Sequence, residues 1–311
     1  MIINTGQRTD IPAFFSEWFI NRLKAGFVLV RNPYNLTSVT RYRLDPAVVD
    51  CLSFCTKNPA PMLPHMELLK GYGQFWYVTI TPYGKEIEPQ VPDKRTVVET
   101  FKRLSDIVGP RCIGWRYDPI FISEKYSVEE HLKAFECMAK ELSGYTKTAV
   151  ISFIDLYRKT QRNFPEARSV TKEERLILGQ AFCEIARQQG MTLRPCAEGT
   201  ELERFGADCR GCMTIEMYEQ AIGFPLKVPS FQPSRKECAC YLSADIGAYN
   251  TCGHLCRYCY ANYDEQTVAS NRRLHDPLSP LLVGHLRPED QVHEAVQESW
   301  ADRQISLFSG G

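Results

Sequence analysis

The run Phe75-Trp-Tyr-Val-Thr-Ile-Thr81 carries no charge and is built from the β-branched and aromatic side chains that favour an extended backbone. Successive side chains of a strand point to opposite faces, so a continuous apolar run predicts a strand covered on both sides. Residues 94–108 follow it with helical spacing. The same alternation extends in both directions. Strands are expected at Ile2–Asn4, Phe27–Arg31, Cys51–Cys55, Cys112–Arg116, Thr148–Phe153 and Met191–Arg194, and helices over 12–25, 127–142 and 171–189. Pro12 opens the first helix, and Gly26 and Gly190 stand where C-terminal caps belong. Val39–Leu44 breaks the rhythm and predicts a hairpin with the strand before it. These βα units, followed by a short strand at Ser243–Gly247, predict an α/β fold of TIM-like type, a closed or nearly closed (β/α) barrel. No glycine-rich dinucleotide fingerprint follows the first strand, as an open doubly wound sheet would favour.

The chain has 311 residues, 44% hydrophobic and 24% charged, which is the profile of a globular protein with a sizeable core. Lys plus Arg and Asp plus Glu both total 37. No overall field therefore draws the chain onto nucleic acid or anionic lipid. The short basic stretches at Arg41–Arg43, Arg257 and Arg272–Arg273 read as solvated surface. No stretch approaches a membrane span, and the start lacks a secretory pattern, so a cytoplasmic location is expected.

Thirteen cysteines are many for a reducing compartment, where clustered thiols more often hold metal than form disulfides. Cys51, Cys55, Cys112, Cys137 and Cys183 sit in apolar surroundings and read as small core residues. The other eight fall between 196 and 259. They divide the chain into a body, 1–195, and a cysteine-rich segment, 196–311, that would complete the barrel. Cys252, Cys256 and Cys259 in Cys-Gly-His-Leu-Cys-Arg-Tyr-Cys give the sharpest signal. Three thiolates at offsets of four and three can converge from one loop and hold three irons of a cubane, leaving the fourth open. Zinc would instead need a fourth protein ligand, from His254 or from Cys238 and Cys240. A second iron–sulfur cluster or a zinc from Cys196, Cys212, Cys238 and Cys240 is also expected. Cys209-Arg-Gly-Cys212 could alternatively act as a redox pair.

In a (β/α) barrel the active site lies at the C-terminal ends of the strands. The polar residues expected there are Arg8 and Asp10, Asn32, Lys57 and Asn58, Arg116 and Asp118, Asp155, and Glu198. Arg8, Lys57 and Arg116 suit the carboxylate or phosphate of a small-molecule substrate. Asp10, Asp118, Asp155 and Glu198 suit positioning and proton transfer, and Asn32 and Asn58 could contact a cofactor.

Two resemblances add to this reading. The Cys-x-x-x-Cys-x-x-Cys loop resembles that of radical S-adenosylmethionine enzymes. This implies a [4Fe–4S] cluster on Cys252, Cys256 and Cys259, with Tyr258 as its aromatic shield. It also implies S-adenosylmethionine as cosubstrate and an electron donor such as flavodoxin or ferredoxin. The loop lies late in this chain, so the implied barrel is circularly permuted. The tail 304–311 is similar to the strand that carries the methionine-binding Gly-Gly-Glu in such enzymes, although no Glu follows. Across nearly the whole length, Arg-Thr-Asp-Ile-Pro (8–12), Lys-Asn-Pro-Ala-Pro (57–61), Trp-Arg-Tyr-Asp-Pro (115–119) and Asp-Ile-Gly-Ala-Tyr-Asn (245–250) resemble the bacterial family "domain of unknown function 1848". That family implies the cysteines but no substrate. Two other functions stay open: a barrel stapled by structural metal with hydrolase or binding activity, and a nucleic-acid repair or modification enzyme.

Overall fold

A computed structural model describes residues 1–230, 240–241 and 244–302. Cys238 and the tail 304–311, both assigned roles above, lie outside the described residues. Among the described residues ten strands occur in chain order: β1 (Ile2–Asn4), β2 (Phe27–Asn32), β3 (Asn35–Arg43), β4 (Cys51–Thr56), β5 (Gly73–Thr79), β6 (Ile113–Ile120), β7 (Thr148–Phe153), β8 (Thr192–Pro195), β9 (Ala244–Asp245) and β10 (Gln291–Glu294). Seven form one sheet in the order β8-β7-β6-β5-β4-β1-β9, with every pairing parallel. Helices connect most neighbours, at Lys94–Val108, Val128–Glu141 and Lys172–Gln188. Each step moves one strand along the sheet in the same direction, as right-handed βαβ crossovers dictate. The late strand β9 then pairs with β1 rather than with β8.

One expectation needs correction, and the closure of the barrel is not observed. Phe27–Arg31 does not enter the main sheet. It hairpins with β3, which also pairs with β10, to make a separate three-stranded sheet. Antiparallel pairing with the next residues closes a very short loop, whereas joining the parallel sheet needs a long crossover. Without that strand the main sheet is one short of the eight that close a barrel. Among the described residues β8 and β9 share no pairing, so the fold is a seven-stranded parallel α/β sheet whose closure is not observed.

Register sorts the side chains into two layers. Ile3, Leu52, Phe54, Trp76, Val78, Trp115, Ala149 and Leu193 belong to the larger core, with the helical Trp18, Phe101, Phe135 and Phe182. Phe54 stacks on Trp76 at 3.8 Å and Phe135 on Phe182 at 3.9 Å. Each such ring contributes about 2–3 kcal/mol by burial alone. The opposite face carries Asn4, Ser53, Cys55, Phe75, Tyr77, Arg116, Val150, Arg194 and Asp245, matched across neighbouring strands. Its apolar part packs against the helix Ile215–Ile222 through Met217 and Tyr218. Its polar part lies toward the strand C-termini. Cys137 departs from the core reading, being exposed on its helix. Among the described residues no helix is long and apolar enough to cross a membrane.

Candidate metal centre

The first thiol group stands on the polar face. Cys196 follows β8, and its N–H donates to the Ile151 carbonyl at 2.8 Å. Cys212 precedes the helix Ile215–Ile222, and Cys240 comes from the chain beyond it. The Cys212 sulfur lies 3.2 Å from that of Cys196 and 3.1 Å from that of Cys240. All three sulfurs fall within 4.8 Å of one another, the arrangement that can hold a metal ion. A tetrahedral zinc with bonds of about 2.3 Å would set its sulfurs about 3.8 Å apart. The trio therefore fits a single ion after a small expansion.

The surroundings suit an anionic thiolate set. Arg116 from β6 donates to the Cys212 sulfur at 3.5 Å and grips Asp118 with Nε and Nη2, the latter at 2.5 Å. The Tyr77 hydroxyl donates to the Cys212 carbonyl, and Arg194 donates to the Gly211 carbonyl at 3.0 Å. Hydrogen bonds from Cys212 and Cys240, reinforced by Arg116, hold the Cys196 thiol well below the usual range despite burial. Burial pushes the Glu198 carboxyl up to about 7, although it accepts from the Phe153 N–H and pairs with Arg175 at 2.6 Å. Cys209 instead packs against the larger apolar core, and desolvation raises its thiol. A redox pair with Cys212 would have to compete with Cys212's two sulfur neighbours.

The second group is the loop after β9. Cys252, Cys256 and Cys259 are half-buried, and their sulfurs do not form one group within 4.8 Å. Thiolates on separate irons of a cluster must stand wider than thiolates on one ion. Desolvation raises all three thiols, that of Cys256 up to about 12, with Lys57 working against it there. A metal bound in the loop would favour their thiolate forms.

The loop is pinned from several sides. Arg257 pairs with Glu166 at 2.7 Å, and its N–H donates to the Ile87 carbonyl. His254 Nε2 meets Asp10 at 2.9 Å, and Asp10 also accepts from the Lys57 N–H and caps the helix Ile11–Phe14 through Ala13. Asp10 engages only Nε2 of His254, and the buried Nδ1 has no hydrogen-bond partner among the described residues, the arrangement in which a carboxylate orients a metal-binding imidazole. His254 therefore stays open as the loop's fourth ligand, whereas Cys240 belongs to the first group. A side chain at Gly253 would meet the Phe14 ring at 2.9 Å, which requires glycine there.

Glu88, absent from the sequence candidates, organises this corner. It is buried and paired with Lys57 at 2.8 Å and with Lys94, and it accepts from Thr81 and from the Tyr258 hydroxyl. The two lysines overcome desolvation and hold its carboxyl down at about 2. Nothing in its local sequence, Ile87-Glu88-Pro89, sets it apart from an exposed loop glutamate. Tyr258 places its ring 5.6 Å from the Lys57 ammonium.

The remaining candidates are dispersed. Arg8 lies 3.8 Å from Asp245, a buried carboxyl pushed up to about 6 by desolvation. Asp155 is exposed and accepts from the Tyr157 hydroxyl. Asn58 and Asn32 hold local turns with their side-chain carbonyls, and Asn32 sits in the hairpin of the second sheet. Among the described residues, the non-glycine residues with left-handed backbone are Ala197 (φ 58°), Asn250 (φ 59°) and Leu255 (φ 56°). Each lies within two positions of Cys196, Cys252 or Cys256. Such strain costs about 1 kcal/mol or more and collects at functional sites.

No curated protein and no solved structure matches the chain. The profile of the family described as "Domain of unknown function (DUF1848)" matches residues 2–261, and the chain belongs to that family.

Proposed function

We propose that this chain is an iron–sulfur enzyme of radical S-adenosylmethionine type, acting on a small molecule at the C-terminal ends of the parallel strands. The observation that carries the reading is the Cys252–Cys259 loop. It leaves β9, a strand paired with β1, and meets residues that follow β1, β4 and β5. Strand order β9-β1-β4-β5-β6-β7-β8 is what a circularly permuted barrel would have, with residues 1–195 as body and 196–311 completing it. The strand beside the loop strand is then β1, followed by Thr5-Gly6-Gln7.

Cys252, Cys256 and Cys259 would hold the [4Fe–4S] cluster, which with S-adenosylmethionine supplies reductive C–S cleavage and a 5′-deoxyadenosyl radical. The chain's own residues do the rest. Lys57 offsets thiolate charge at Cys256, and Glu88 fixes Lys57. Arg116 and Asp118 face the same side, where they would orient a polar substrate. Electrons would come from a flavodoxin or ferredoxin in the cytoplasm.

Anaerobic purification with iron, sulfide and zinc counted per chain tests the assignment. Four irons with matching sulfide, and 5′-deoxyadenosine formed on reduction with S-adenosylmethionine, are expected. Zinc alone with no cleavage would overturn it. A second reading, a structural zinc at Cys196, Cys212 and Cys240 in a hydrolase or binding protein, is favoured by the compactness of that trio. There chelation would lower stability without abolishing chemistry.

A further inference from the structure

A cleft of about 580 Å³ opens beside the thiol loop, between residues 246–250, the β2–β3 turn and residues 281–287. Its size lies within the range of small-ligand sites. Its lining is one-sided in charge: Arg8, Arg31, Lys159 and Arg287 contribute cations and no carboxylate contributes. Arg31 is neutralised by Asp290, and Arg8 has Asp245 at 3.8 Å. Lys159 and Arg287 have no ion-pair partner among the described residues. The Lys159 ammonium is held by the Tyr260 carbonyl at 2.9 Å, so it is placed without being neutralised.

The same cleft offers flat apolar surface. Tyr34 is 89% exposed and Tyr260 48% exposed, and both line it with Tyr249. Ile246 and Leu282 are buried in the larger core and form part of the floor. Arg287 shares the field of Asp290 with Arg31 but makes no direct ion pair among the described residues. Two cations free of direct carboxylate contact, beside exposed rings, select a ligand with a compact, doubly negative group and a planar ring.

We propose that this cleft binds a nucleoside monophosphate, the phosphate between Lys159 and Arg287 and the base against the tyrosines. A polynucleotide fits less well, because the chain carries equal numbers of acidic and basic residues and the cations are confined to one cleft. S-adenosylmethionine fits less well too, since its sulfonium is cationic and it brings one carboxylate. The site requires neither thiol group to be loaded, so it stands or falls apart from the cluster.

Calorimetric titration of the full chain with adenosine 5′-monophosphate tests it. Adenosine alone and inorganic phosphate alone should each bind roughly tenfold or more weakly than the intact nucleotide. The double substitution Lys159→Glu/Arg287→Glu should weaken nucleotide binding by about tenfold or more, and Arg287→Glu alone should weaken it severalfold with metal content and melting temperature unchanged. Tyr34→Ala, at an exposed side chain, should weaken it severalfold through lost stacking. Unchanged binding in the charge-reversed variant would overturn the site. So would displacement of the nucleotide by S-adenosylmethionine, or binding of a deoxythymidine oligonucleotide with none of the mononucleotide.

Discussion

Cys252, Cys256 and Cys259 reach the strand ends from one short loop, whereas Cys196, Cys212 and Cys240 are gathered from three separate segments. The loop thiols are held by what surrounds them: Arg257 on Glu166, His254 on Asp10, Tyr258 on Glu88. The trio is held by the fold itself, since Cys196 hangs from β8, and Cys212 and Cys240 pack with Met217 and Tyr218 on the polar face of the sheet. Sulfurs at 3.1 and 3.2 Å suit one ion, whereas the loop sulfurs do not form one group within 4.8 Å. The difference teaches that the two groups should respond differently to the same substitution.

The largest contrast is expected between Cys212→Ser and Cys256→Ser. In the trio, loss of a buried ligand should remove its metal and cost roughly 3–5 kcal/mol, read by urea unfolding. In the loop, iron and sulfide should be lost while stability falls by about 1 kcal/mol. Equal losses of stability would erase the distinction, and unchanged metal in Cys212→Ser would make the trio ordinary packing.

Next comes Lys57→Ala, which strips Glu88 of one of its two lysines and should cost about 3 kcal/mol at neutral pH. Glu88 titrates near 2 in the fold against 4.5 for a free glutamate. Its stabilisation is therefore complete above pH 4.5 and is lost as pH falls toward 2. The deficit of the variant should shrink over that window. A deficit that stays constant from pH 7 to pH 3 would mean the ion pair is not its cause.

Asp245 works in the opposite sense. Its folded value of about 6 lies above 3.8, so the native state holds the proton longer and stability declines as pH rises from 3.8 to 6. Across that interval the decline amounts to about 2–3 kcal/mol. Asp245→Asn cannot ionise and should flatten this slope, measured by thermal melting across the same pH range. A slope unchanged in the variant would place its origin elsewhere.

Tyr258→Phe should do least, removing one hydrogen bond to Glu88 at about 1 kcal/mol with iron content intact. If iron were lost with the hydroxyl, the loop would depend on Glu88 far more directly than its geometry implies.

The alternation of strands and helices was legible from continuous apolar runs such as Phe75–Thr81, because burial on both faces leaves no polar position to confuse the pattern. The grouping of Cys196, Cys212 and Cys240 was legible as well, because thiols crowded into one stretch of chain point to a shared metal. The hairpin of Phe27–Arg31 with Val39–Leu44 was legible and is found, but the strand was also counted in the main sheet because an apolar strand looks the same in either sheet. Glu88 was invisible because two lysines, one from the end of β4 and one from the helix Lys94–Val108, make it a buried anchor.

By composition and spacing alone the sequence determined a parallel α/β fold, a cysteine-rich final third and three closely spaced cysteines in one loop. Those features follow from local periodicity and from short chain separations. Cys196, Cys212 and Cys240, grouped with Cys238 in the sequence reading, do meet in the fold. Tertiary structure alone decided that β9 pairs with β1 and that an unbalanced set of cations faces exposed tyrosines across one cleft. These depend on residues far apart in sequence, whose meeting is set by sheet order and packing rather than by any local preference.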